Sequence, residues 1–174
     1  MDIILRTFQA GDFDTVISWI DGPQTLSLWA GATFSYPLDR GQLQRYLDKA
    51  TERYPWRRLY AVVDQDDEKL IGHFEFSDIW PHLSLRFARI LIGDPASRGK
   101  GYGQAILAEA LKLAYAEFNV ARVDLGVKKE NLLAINCYRK AGFKDIGLWP
   151  EAIETPIGWI DVHWMTHTRK EQQP

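Results

Sequence analysis

Apolar and polar positions along the chain switch between a period of two and a period of about 3.6, so strands and helices can be placed by pattern. IILR, Ile3 to Arg6, predicts a short strand. In GDFDTVISWI the apolar Phe13, Val16, Ile17 and Ile20 recur at helical spacing, with Asp12 placed to cap and DGPQ to stop the helix. An aromatic loop over 22–37 comes next. Asp39 then heads a second helix with Leu43, Tyr46, Leu47 and Ala50 on one face. RRLYAVVD and KLIGHFEF read as strands about the acidic turn DQDDE, hence a hairpin. LSLRFARILIG predicts a longer strand. After the glycine segment SRGKGYG a helix runs to about Phe118, with Ile106, Leu107, Ala110, Leu111, Ala114 and Phe118 on its apolar side. ARVDLGV is a strand, NLLAINCYRKA a helix closed by Gly142, and FKDIGLW and GWIDVHWMT are strands. The last of these puts Trp159, Asp161, His163 and Met165 on one side and Ile160, Val162 and Trp164 on the other.

The order β-α-α-β-β-β-α-β-α-β-β predicts the α/β class: a mixed, mostly antiparallel central sheet with helices on both faces. At 174 residues one domain is expected, over 1–168, with RKEQQP (169–174) as a frayed tail. A chain of this size buries roughly 70% of the surface it exposes when unfolded. Composition removes several function classes. A net charge of −2 supports no broad basic surface, so nucleic acid is not an expected partner. The single cysteine, Cys137, allows no internal disulfide and agrees with a reducing compartment. The opening MDIILRTFQAGDF has no secretory pattern, and no apolar run approaches the roughly 20 residues that span a bilayer. A cytoplasmic protein without a membrane partner is expected.

The candidate chemistry begins at SRGKGYG. Unpaired amides and a partial positive charge make a helix N-terminus an anion site. Glycines at 99, 101 and 103 let those amides approach a phosphate, and Arg98 and Lys100 add charge. A Walker loop is excluded, because five residues separate Gly93 from Gly99 and Lys100 is followed by Gly101 rather than Ser or Thr. The G-x-G-x-G spacing also misses the dinucleotide fingerprint, with Ile106 where a glycine is needed. In the helix after Asn131, residues Asn131, Ala134 and Tyr138 share one face and could follow an extended ligand arm. Asn131 is equally placed to be an N-cap.

Arg98-Gly-Lys-Gly-Tyr-Gly103 resembles the R/Q-x-x-G-x-G/A motif of the GNAT superfamily of acetyltransferases. NLLAINCYRKAGF is similar to that family's N-x-x-A-x-x-x-Y-x-x-x-G-F segment, and the element order agrees. The resemblance is sharp from Ile90 to Phe143, and it leans toward the branch containing ribosomal-protein N-terminal acetyltransferases. It implies acetyl-CoA as acyl donor, no metal, and direct transfer to a primary amine of a small molecule, a protein N-terminus or a lysine. Arg98, Gly99, Lys100, Gly101, Tyr102 and Gly103 would hold the pyrophosphate, and Asn131, Ala134 and Tyr138 would line the pantetheine arm. Strand amides at Leu91 or Ile92 would hold that arm or polarise the thioester carbonyl. Tyr138 is the candidate general acid for the departing thiolate.

The general base is less sharply marked. Some family members carry a glutamate in the strand before the glycine turn, and RFARILIGD has none. Glu75, beside His73 on one side of its strand, is the leading candidate; Asp161 and His163 form a second pair, and an amine deprotonated through solvent needs none of them. The acceptor pocket would draw on SWIDGPQTLSLWAGATFSYPL, YPW and IGWIDVHW, with Trp19 assigned to the core. Two alternatives stay open: a non-catalytic acyl-CoA sensor, and an N-acyltransferase with a longer donor. A monomer or a homodimer through the aromatic N-terminal face fits either.

Overall fold

A computed structural model describes residues 2–51 and 57–169. Seven strands form one sheet in the order β1-β2-β3-β4-β5-β7-β6. They are β1 (Ile3–Thr7), β2 (Arg58–Asp64), β3 (Leu70–Trp80), β4 (Ser84–Ile92), β5 (Arg122–Lys128), β6 (Lys144–Thr155) and β7 (Gly158–Thr168). The helices are α1 (Phe13–Ser18), α2 (Pro23–Ala30), α3 (Arg40–Thr51), α4 (Tyr102–Glu117) and α5 (Leu132–Lys140). None is long and apolar enough to cross a membrane. Only β4 and β5 run parallel; every other neighbouring pair is antiparallel.

Strand alternation in β3 feeds two cores. Phe74 and Phe76 point to the face covered by α4, where Phe76 stacks on Phe87 at 5.2 Å among Ile106, Leu107, Ala110 and Ala114. Full burial of each ring is worth about 1.5–3 kcal/mol. His73 points to the opposite face, among Phe8, Trp29 and Tyr46 under α1 to α3. In the aromatic N-terminal segment, named above as the face a homodimer would use, Trp29, Phe34 and Tyr46 are all buried. Exposed large apolar side chains gather instead on β6 and β7, among them Ile146, Trp149 and Trp159.

Four expectations need correction. The 22–37 loop contains α2, which starts with Pro23 at its first position and ends at Gly31 (φ +58°). Proline opening and glycine closing a helix is a readable signal, hidden here by the surrounding aromatics. Asp12 does not cap α1 with its side chain; it accepts from Gln9 N (2.9 Å) and from Arg6. The tail does not fray at 169, since Arg169 N donates to Ala121 O and its guanidinium donates to Asn119 and Tyr115 O. Trp56 lies outside the described residues, as do 170–174. Trp19 is half-buried and seated on Gly93, where an added Cβ would lie 1.9 Å from its ring.

The sheet opens in one place. β4 and β5 pair only from Ser84–Arg122 to Phe87–Leu125. Beyond that point β4 stays with β3 as far as Ile92, while β5 stays with β7 as far as Lys128. The two halves diverge and leave a wedge. A bulge marks its rim: His73 faces Leu91 but Glu75 faces Ala88, so Arg89 and Ile90 together oppose Phe74. Arg89 sits there at φ +49°, a left-handed conformation rare for a long side chain.

Candidate active site

One side of the wedge is built from the turn after β4. Asp94 accepts from Ser97 Oγ (2.7 Å) and pairs with Lys69 (2.9 Å), which fixes the short 3-10 turn Pro95–Ser97. Backbone bonding in the turn stops at Arg98 N to Pro95 O and resumes at Gln104 N to Gly101 O. The amides of residues 99 to 103 take no part in it. Gly99 (φ +74°) and Gly101 (φ +92°) supply the left-handed steps, and a Cβ on Gly99 would meet nothing within 4 Å. These amides head the 16-residue α4, whose dipole adds partial positive charge. The donor set fits a diphosphate.

Among the side chains expected here, Lys100 is exposed at the turn. Arg98 donates to Ile92 O and Gly93 O, both at 3.1 Å, and so ties the turn to the end of β4. Tyr102 turns inward and donates its hydroxyl to Asp64, which pushes the phenol up to about 12. Residue 102 can therefore serve a ligand only through its amide.

Asn131 caps α5, its Oδ1 accepting from Ala134 N at 3.2 Å. Ala134 and Tyr138 are half-buried further along the helix. Tyr138 packs against Phe143 at 6.0 Å, and burial raises its phenol well above the usual value, so it stays protonated through the neutral range. Gln104, which pattern reading passed over, clasps α4 to α5 by donating to Cys137 O at 2.7 Å. On β4, Gly93 N donates to Ile71 O. Strand alternation then turns the Leu91 amide toward β3 and the Ile92 amide toward the wedge. Of that expected pair, only Ile92 presents a free direction.

The other side of the wedge holds a cavity of about 270 Å³ bordered by Trp29 and Gly31 at the end of α2, Arg86 and Arg89 on β4, Lys128 on β5 and Trp164 on β7. Glu75 also borders it but has no exposed surface. Its carboxylate accepts from Tyr46 Oη (2.6 Å) and Arg89 Nη1, and Arg57 Nε lies 3.4 Å away. Arg89 Nη2 donates to Thr33 Oγ1 at 2.6 Å. The bulge turns the Arg89 carbonyl inward, where it accepts from Trp29 Nε1 (2.9 Å) and faces His73 Nδ1 at 3.3 Å. Burial drags the His73 imidazole down to about 4, so it is neutral at pH 7.

The expectation that Glu75 faces a substrate is thereby corrected. Oε2 takes both of its hydrogen bonds, while Oε1 has no hydrogen-bond partner and lies 3.4 Å from Arg57 Nε, so the buried carboxylate holds the two arginines. The other base candidates are also occupied: Asp161 binds Lys129 (2.8 Å) and Glu151 N (2.9 Å), and His163 binds Asp145. Tyr46, Thr33, Arg86 and Arg89 were missed. Arg89 had one readable signal, a cation inside the apolar strand FARILI. Size alone would also mislead, since a cleft of about 910 Å³ between β1, β2, α3 and α4 shares no residue with the wedge.

Residues 2–144 match the family model described as acetyltransferase (GNAT) domain. The chain belongs to the GNAT acetyltransferase family. It is an acyltransferase acting on primary amines, and acetyltransferases of this family take their acetyl group from acetyl-CoA. A spermidine N(1)-acetyltransferase of Vibrio cholerae is 26% identical over 147 residues, which cover 83% of this chain and 80% of that protein. The crystal structure of spermidine N-acetyltransferase from Vibrio cholerae in complex with CoA and spermine superposes with a TM-score of 0.81 at 24% identity, covering 95% of each chain. At that identity the superposition establishes the fold.

Proposed function

We propose that the two sides of the wedge are the two substrate sites of an acetyl transfer, acetyl-CoA on the α4–α5 side and a primary amine on the α2 side. The observation that carries this reading is the run of amides at 99–103, heading a helix at the mouth of the sheet's gap. Acetyl-CoA brings an activated thioester. The amides of Gly99, Lys100, Gly101, Tyr102 and Gly103 bind its diphosphate, with Arg98 and Lys100 adding charge. Asn131 and Ala134 border the arm, and the Ile92 amide points to where that arm enters the wedge. Tyr138 gives its proton to the departing thiolate, a contribution of typically 10²–10⁴-fold.

The amine must lose a proton before it attacks. Arg57, Arg86, Arg89 and Lys128 border its cavity, and nearby cations favour the neutral amine. The proton leaves to water, and Glu75 acts as a positioning residue for the arginines. The spermidine activity of the relatives supports a primary amine as the acceptor class. A thermal melt with acetyl-CoA, followed by thiol detection over an amine panel, tests the reading. Ligand at 100 times its Kd adds about 2.7 kcal/mol of stability. No stabilisation, with no thiol released from any amine, overturns it.

A further inference from the structure

Resting on that assignment of the two sides, the charge of the α2-side cavity selects among amines. Among the described residues four cations border it, Arg57, Arg86, Arg89 and Lys128, against two carboxylates, Glu75 and Asp78. Glu75 is shared by Arg89 and Arg57. Asp78 pairs with Arg86 at 3.1 Å, and Trp164 lies 4.9 Å under the Arg86 guanidinium, holding it at the rim. Among the described residues Lys128 has only Glu130 at 3.9 Å, a residue outside the lining. Three of these cations are held out of full solvent: Arg89, Lys128 and Arg57 expose 17%, 27% and 32% of their side chains. At the same cavity two donors, Arg89 Nε and Trp164 Nε1, and one acceptor, Glu75 Oε1, are buried without a hydrogen-bond partner, and the acceptor already has Arg57 Nε at 3.4 Å. Arg57 also borders an adjoining cleft of about 250 Å³ whose described lining holds Arg45 and Lys49 and no carboxylate.

Partly desolvated cations and unpaired buried donors around one cavity call for an acceptor oxygen, and an oxyanion satisfies both. A chain of ammonium groups meets like charge there. We infer that the acceptor is a primary amine that also carries an oxyanion, a carboxylate or a phosphate, and that Arg86 and Lys128 bind that oxyanion while the amine reaches the wedge. This separates the chain from relatives named for spermidine.

The test is a thiol-release assay with acetyl-CoA over five amines: alanine, alaninamide, O-phosphoethanolamine, ethanolamine and spermidine. Rates are compared as kcat/KM per unprotonated amine. Each anionic amine should exceed its uncharged counterpart at least about tenfold, the size of one charge-assisted contact. Whichever of alanine and O-phosphoethanolamine leads identifies the oxyanion. Arg86→Gln combined with Lys128→Gln should bring both ratios close to one. Spermidine outrunning both anionic amines would overturn the inference while leaving the two-site reading intact, as would thiol release that ignores the anion.

A second measurement needs no turnover. Titrating N-acetylglycine against N-acetylglycinamide while following the Trp29 and Trp164 indole NMR signals should show the carboxylate binding and the amide not. Equal shifts from the two overturn the inference, as do no shifts from N-acetylglycine and from O-phosphoethanolamine alike. This holds even if acetyl-CoA fails to bind, the outcome that sinks the two-site reading.

Discussion

The two sides of the wedge are made of different material. On the α4–α5 side the groups open to a ligand are main-chain amides from one short stretch, 99–103, and the side chains around them brace the scaffold: Arg98 on β4 carbonyls, Tyr102 on Asp64, Asn131 on the first turn of α5. On the α2 side the groups are side chains from positions 57, 86, 89, 128 and 164, on elements that only the fold brings together. Among the common residues only proline removes a main-chain N–H, so the first side is suited to a donor common to a whole family. The second side can change its charge one residue at a time, which suits it to acceptor choice.

The comparison is broken most severely by Tyr138→Phe. Loss of its proton should lower kcat by about 10²–10⁴-fold, with KM for acetyl-CoA within about twofold, as steady-state kinetics would show. An unchanged kcat would remove Tyr138 from the chemistry.

The next effect belongs to the α2 side alone. His73 is neutral and buried with its pKa near 4, against about 6.5 for an exposed histidine. Between those values the unfolded chain binds the proton more readily, so stability rises with pH. About 3 kcal/mol is fully present above pH 6.5 and is lost as pH falls toward 4. Urea unfolding at stepped pH should show this slope, and His73→Phe should flatten it. Because His73 faces the Arg89 carbonyl, hydrogen exchange at low pH should open β3 and the bulge before the 99–103 turn.

Gly101→Ala probes the amide side. A Cβ at φ +92° costs about 1–2 kcal/mol. KM for acetyl-CoA should rise about tenfold while KM for the amine holds. Asn131→Ala is the smallest: loss of the cap should cost about 1 kcal/mol in a melt. A large rise in acetyl-CoA KM there would mean that Asn131 serves the ligand beyond its capping role.

The same contrast explains what pattern and motif could reach. All seven strands and four of the five helices follow from periodicity, because each is a local record of which face is buried. The 99–103 turn is local too, which is why glycine spacing alone pointed to a phosphate. The α2-side network is not local. Tyr46 sits on the apolar stripe of α3 as any core residue would, and nothing in its surroundings marks the hydroxyl that reaches Glu75 across 29 residues. The bulge that swings Arg89 depends on register between β3 and β4, which alternation leaves undetermined. Glu75 was correctly placed on the face opposite Phe74 and Phe76, but that face proved to be covered by three helices.

The central claim is that the wedge between β4 and β5 joins a main-chain site for acetyl-CoA to a side-chain site for the amine. A crystal structure of the protein soaked with coenzyme A tests it most directly. The account predicts diphosphate oxygens on the amides of 99–103 and the thiol end beside Ile92, within reach of the Tyr138 hydroxyl. Diphosphate bound anywhere else, or a thiol end turned away from the wedge, would contradict it.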